Sequence, residues 1–332
     1  MKRISLLVLC VLSFYGASGQ SREGKPAPKP LFRDPVYDGA ADPTLIWNSA
    51  QKKWFMFYTN RRATDTADGG VAWVHGTEIG IAESTDGADW KYHGIAKISY
   101  KPDSGYTYWA PEVIDYKGIY HMYLTYVPGV FNDWHHPRNI IHLTSKNLLD
   151  WKYESKLHLV NNSVIDPCVL RLPDGTWRMW YNNEKDHKSI YFANSPDLYH
   201  WTDGKKAIYD QPGEGPKVFK WKDKYWMITD VWQGLAVYSS DDLLLWSRQP
   251  GANLLTEPGK GRDDGVKGGH CDVRISANGR AYLFYFLHPG NTGAKVNRYE
   301  KQRSSIQVVE LRYADGKLSC NRDLPTYVEL KP

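Results

Sequence analysis

The chain has 332 residues, of which 42% are hydrophobic, 24% charged and 14% aromatic, and its 42 basic and 37 acidic side chains give a formal net charge of +5. That apolar and aromatic content excludes a disordered chain, and 28 Gly without a period exclude a collagen-like one. The basic residues form no cluster of the kind a nucleic-acid partner requires, and no apolar run beyond the N-terminus approaches the ~20 residues of a membrane-spanning helix.

In chain order, Lys2 and Arg3 precede an apolar stretch from Ile4 to Phe14 and then Ala17-Ser18-Gly19, the pattern of a secretory signal peptide over residues 1–19. The address this implies is periplasmic or secreted. Lipoprotein anchoring through Cys10 is disfavoured, because Leu9 stands where a small residue is wanted. Residues 20–30 (QSREGKPAPKP) are polar and Pro-rich and predict a tether, leaving residues 31–332 for one folded domain. Of the cysteines that follow, Cys168, Cys271 and Cys320 are odd in number and irregular in spacing, which predicts unpaired buried thiols rather than a disulfide framework.

Self-comparison then shows five units. Each carries an aromatic-rich strand: KWFMFY (53–58), GIYHMY (118–123), TWRMWY (176–181), KYWMI (224–228) and RAYLFY (280–285). About ten residues earlier in each lies a second strand: ADPTLIW (41–47), APEVID (110–115), DPCVLR (166–171), GPKVFK (215–220) and HCDVRI (270–275). Four units continue into a Ser-opened turn that ends in Trp: STDGADW (84–90), SKNLLDW (145–151), SPDLYHW (195–201) and SDDLLLW (240–246). Ser and Asx side chains stabilise such turns by accepting backbone N–H groups, and the Trp is placed to seal the gap between neighbouring sheets. The fifth unit lacks this element and runs into Ser305–Leu311 and a last strand near Tyr327–Leu330. Repeats of this length with several short strands and no helical periodicity predict an all-β chain folded as a five-bladed β-propeller.

In a propeller the first strand of each blade lines the central axis. The register of the repeats puts Asp42, Ala110, Asp166, Gly215 and His270 at equivalent places, with Glu214 beside Gly215. Two Asp, one Glu and one His are therefore expected to converge on one funnel.

These segments, from ADPTLIW around Asp42 through YWAPEV, VIDPCVL and EGPKVFK to GGHCDV around His270, resemble glycoside hydrolase family 43 over roughly residues 33–330. The resemblance implies an inverting glycosidase that removes arabinofuranosyl, xylosyl or galactosyl units from plant-type polysaccharides or their oligosaccharides. It implies Asp42 as general base, Glu214 as general acid and Asp166 as the carboxylate that orients the acid and tunes its pKa. It also places His270 near a central metal, calcium, although calcium prefers oxygen ligands.

Around this core, Trp109 and Trp73 are candidates for stacking on a sugar, Glu112 for a pocket hydrogen bond, and Arg61 and His75 for substrate contacts from the long loop 60–76. The loop 133–139 (DWHHPRN) is read as a second rim loop, and Asp34 as structural. Three rivals remain. A sialidase requires an arginine cluster that is missing, a phosphorylase requires a basic pocket that Lys217 alone does not make, and an inactive carbohydrate-binding propeller has no reason to keep all three carboxyl groups. No obligate protein partner is evident.

Overall fold

The computed structural model describes residues 23–332; the expected leader over residues 1–19 lies outside them. Apart from one short helix, Arg298–Gln302, and a single 3-10 turn, Ala72–Val74, the regular structure is all strand. Five small sheets succeed one another as the blades of a propeller, antiparallel throughout except that Lys97–Ile98 runs parallel to Asp150–Lys156 at the edge of the second. Their inner strands are Ala40–Asn48, Thr107–Tyr116, Val164–Arg171, Glu214–Trp221 and Cys271–Ile275, each paired with the aromatic-rich strand that follows it.

Four inner strands carry the same defect. The ladder slips at Asp42-Pro43, Ala110-Pro111, Asp166-Pro167 and Gly215-Pro216. The first residue of each pair has a positive φ, 52°, 44°, 59° and 56° in turn. Pro has no N–H to offer a ladder, so it fits at a bulge, and the bulge bends the strand and re-aims the residue before it. In the fifth blade no Pro follows His270, and the ladder from Cys271 to Ile275 runs without a slip.

The axial residues are latched from the neighbouring blade. Thr59 Oγ1 accepts the Ala110 N–H at 2.8 Å, Thr125 Oγ1 accepts that of Asp166 at 3.0 Å, and Asp230 Oδ2 accepts that of His270 at 3.0 Å. These three acceptors stand five residues after the aromatic anchor of their repeats, as does Asn182, which donates to the Gly213 carbonyl.

The Ser-opened turns form as expected. Ser84, Ser145, Ser195 and Ser240 each accept, at 2.8 to 2.9 Å, the N–H three residues on. The Trp that ends each turn meets an aromatic of the preceding blade edge-on: Trp90 with Phe284, Trp151 with Phe57, Trp201 with Tyr123 and Trp246 with Trp180. Such contacts add to the apolar cores that neighbouring blades share, as where Trp226 and Ile228 of the fourth blade pack with Val273 and Leu283 of the fifth. The fifth blade, which has no such turn, sets Tyr313 against Trp221 and Trp226 of the fourth.

No blade borrows a strand from another. The ring is closed instead by Phe32 bridging to Ile306, by the Leu45 N–H donating to Asp272 Oδ2 at 2.8 Å, and by Trp54 Nε1 donating to the Leu330 carbonyl at 3.0 Å. Two expectations change here. Lys25–Pro26 is not a free tether but pairs antiparallel with Tyr327–Val328, which leaves the fifth blade to do so. Lys29 anchors the same segment by an ion pair to buried Asp264 at 2.8 Å. The thiols are unpaired, with Cys168 and Cys271 buried and Cys320 half-buried.

Candidate active site

The inner-strand bulges open into a cleft of about 830 Å³ at one end of the axis. Asp42, Asp166, Glu214 and His270 line it together, as the repeat register requires. Each sits in a different electrostatic setting.

Asp42 is almost fully buried. Burial alone would raise its pKa, but the Arg61 guanidinium, with smaller help from His270 and Thr59, holds the carboxyl below the usual range. Arg61 Nη2 reaches both Asp42 oxygens, at 3.2 and 3.3 Å. Arg61 is itself fixed by the Phe286 ring, 4.7 Å from its guanidinium carbon, and by His288 Nε2 at 2.9 Å. His288 Nδ1 lies 3.0 Å from the Arg303 carbonyl and donates to it, which leaves Nε2 as the acceptor for Arg61.

Asp166 is pushed well above the carboxylate range, first by burial and then by the neighbouring charge of Glu214. The Gly215 N–H donates to its Oδ2 at 3.0 Å. His270 Nδ1 lies 3.7 Å from Asp42 and 3.9 Å from Asp166, too far for a hydrogen bond, and burial lowers its pKa. The imidazole also packs on Gly215, where a Cβ would stand 2.6 Å from its Cγ.

Glu214 is the most accessible of the three carboxyl groups, with its side chain 25% exposed against 7% for Asp42 and 9% for Asp166. Trp232 Nε1 donates to its Oε1 at 3.1 Å, and Lys188 Nζ approaches its Oε2 at 3.4 Å. Trp232 has a positive φ of 57°, and Asp230 Oδ1 holds it there by accepting its N–H at 2.7 Å. Buried Asp230 therefore spans the Trp232 loop and the His270 backbone.

The cleft wall opposite is aromatic and cationic. Trp134 is half exposed and lies against Trp109, with the Arg138 guanidinium over both rings and paired to Glu184. Trp109 lines the cleft as expected, its Nε1 donating to the Val74 carbonyl at 2.6 Å. Arg61 lines it too, but through Asp42.

The structure does not bring the other candidates to the wall. His75 is buried behind Trp109 and Phe131, and Trp73 packs edge-on against His288. Glu112 lies beneath the cleft, where Lys217 Nζ pairs with it at 2.9 Å. The same pairing removes Lys217 from any phosphate pocket.

Sequence reasoning missed Trp134, Arg138, Glu184, Lys188, Trp232 and Asp230. Trp134 and Arg138 lie on the loop 133–139, which was read as a rim and does line the cleft, and Asp230 had a signal in its place five residues after the fourth anchor, level with Thr59 and Thr125. The others come from loops outside the repeat.

Comparison with known proteins gives one consistent answer. The sequence profile of Glycosyl hydrolases family 43 matches residues 32–317. A thermostable family-43 glycoside hydrolase is 20% identical and superposes with a TM-score of 0.68, covering 91% of this chain and 100% of that one. A family-43 β-1,3-galactosidase solved with galactodeoxynojirimycin is 16% identical, TM-score 0.64, covering 87% and 96%. A family-43 β-xylosidase/α-arabinofuranosidase from a compost microbial metagenome, solved with xylotriose in a calcium-free form, is 17% identical, TM-score 0.61, covering 86% and 96%. At these identities the superpositions speak to the fold alone. No curated protein matches the sequence significantly.

Proposed function

From this chain's membership of glycosyl hydrolases family 43, we propose that it hydrolyses glycosidic bonds with inversion, cutting terminal sugars from plant-type oligo- or polysaccharides. The observation that carries the reading is the unequal environment of three carboxyl groups on one cleft floor. Two titratable groups whose surroundings push them apart are what acid–base catalysis at a single pH requires.

Asp42, kept ionised by Arg61, is the general base: it takes a proton from water as the oxygen attacks the anomeric carbon. Glu214, nearest to solvent, is the general acid: it gives a proton to the departing glycosidic oxygen as that bond breaks. Asp166, held above the carboxylate range by burial and by the charge of Glu214, is the third carboxylate and orients the acid's strand through the Gly215 N–H. Trp134 and Trp109 offer apolar faces to a sugar ring, and Trp232 fixes the acid's carboxylate beside the leaving group. The enclosure of the cleft by the loops 60–76 and 128–139 favours exo action.

Arabinofuranosyl, xylosyl and galactosyl substrates are the candidates, and all three are named for relatives of the same fold. The periplasmic or secreted address read from residues 1–19 fits an enzyme that meets such polymers outside the cytoplasm. The test is chromatography of products from a panel of arabino-, xylo- and galacto-oligosaccharides with wild type and Glu214→Gln. Monosaccharide release that falls by about a thousandfold or more in the variant supports the reading. Saturable binding of a panel member by both proteins, with no release by either, replaces it with a binding propeller.

A further inference from the structure

The resemblance that brought His270 into view also brings calcium, and the residues here do not suit that ion. Calcium takes six to eight oxygen ligands. The carboxylates that face His270 are already engaged, Asp42 by Arg61 and Asp166 by the Gly215 N–H. No group of three or more metal-ligating side chains forms among the described residues.

Two residues beyond each axial position, a second ring follows on the inner strands. Thr44, Glu112, Cys168 and Lys217 come from the first four blades, and Asp272 completes the ring from the fifth. Lys217 is buried, and its ammonium lies 2.9 and 3.1 Å from the two Glu112 oxygens and 2.8 Å from Asp272 Oδ1. Burial works to lower its pKa, but Asp272 and Glu112 outweigh this, so it stays charged.

The remaining valences of this cluster reach the other blades. Glu112 accepts from Thr44 Oγ1 at 3.2 Å and from the Val169 N–H at 3.3 Å. Asp272 accepts from the Leu45 N–H and from Arg274 Nε, each at 2.8 Å. Through a single ammonium, all five blades are joined at the axis, and the charges of two carboxylates are met by Lys217 and Arg274.

We propose that Lys217 is the resident cation of the propeller axis, a covalently tethered ammonium that meets the buried carboxylates there, so that this chain closes its ring without a divalent metal. A buried carboxylate pair needs a partner cation, and removing one partner of such a cluster strands the others. The tethered ammonium supplies that partner at every ambient metal concentration, whereas a bound ion stabilises only in proportion to its concentration over its dissociation constant.

The test needs no glycosidase substrate, so its failure is separate from failure of the catalytic reading. The full chain is dialysed and its metal content measured by plasma mass spectrometry, then its melting temperature is scanned with EDTA and with millimolar calcium. Wild type is expected to hold no stoichiometric metal and to shift by less than about 1 °C in either solution. Lys217→Met is expected to melt about 5 °C or more below wild type, and calcium is expected to recover part of the loss. Should that variant fail to fold, the neutral triple variant E112Q/K217M/D272N is expected to fold and to ignore calcium. Stoichiometric calcium in wild type, a calcium-dependent rise in its melting temperature, or a Lys217→Met protein as stable as wild type would overturn the proposal.

Discussion

Asp42 and Asp166 occupy equivalent bulges and share the sequence Asp-Pro, yet they are tuned in opposite directions. The difference is one side chain: Arg61 reaches Asp42, whereas Asp166 faces the charge of Glu214. Replacing Arg61 with Met therefore raises the pKa of Asp42. The acid limb of the kcat/KM profile is expected to move upward by about one pH unit or more, measured by initial rates across pH; an unmoved limb would separate Asp42 from that limb. Asp230 tests the same logic in stability. Its pKa is pushed up to about 7, by burial first and by Glu214 second. A carboxyl raised above its unfolded value stabilises fully below that unfolded value, near pH 4, and the contribution is lost as pH rises through about 7. Asp230→Asn is consequently expected to be less stable than wild type near pH 5, with the gap in melting temperature narrowing by several degrees towards pH 8. A gap that stays constant across that range would contradict the assignment.

At the scale of the strand, the repeated X-Pro bulge explains how unlike residues come to share one register. Asp42, Ala110, Asp166 and Gly215 take the same left-handed backbone, and only at Gly215 does the absence of a side chain matter for packing. Ala110→Gly removes a strained conformation and is expected to be neutral or stabilising by up to ~1 kcal/mol. Gly215→Ala forces a Cβ to within 2.6 Å of the His270 ring. It is expected to cost about 2 kcal/mol or more in denaturant unfolding and to lower kcat by disturbing the Asp166–Gly215 contact. Equal effects at the two positions would contradict the common register. This level of organisation was legible in the sequence, because a Pro after the axial residue and a polar residue five places after the aromatic anchor repeat in the first four blades. Trp232 and Lys188 were not legible. They sit on connections that differ between blades, and a left-handed Trp232 held by Asp230 has no signature in spacing. His75 and Trp73 show the converse error, since a polar loop of aromatic and basic residues reads as a rim while these two pack inward against Trp109 and His288.

For the whole molecule, the central question is what keeps five self-contained sheets in a ring. Blade-to-blade Trp contacts, the latched bulges and the Lys217 cluster do so along the walls and axis, and Lys25–Pro26 meets Tyr327–Val328 across the closing gap. Removing residues 327–332 takes away the partner of Lys25–Pro26 and the carbonyl that Trp54 Nε1 bonds. The truncated protein is expected to melt several degrees lower, still in one calorimetric transition, because no blade can bury its faces alone. Two resolved transitions would mean that the blades unfold separately. That closed ring is what holds Asp42, on the first blade, opposite Glu214, on the fourth. The account stands most directly on the stereochemistry this arrangement produces. Proton NMR of the sugar first released by wild type, run beside Glu214→Gln, reads it before mutarotation. Appearance of the anomer opposite to that of the substrate, lost in the variant, is the predicted result; first appearance of the retained anomer would contradict the assignment of Asp42 as the base that activates water.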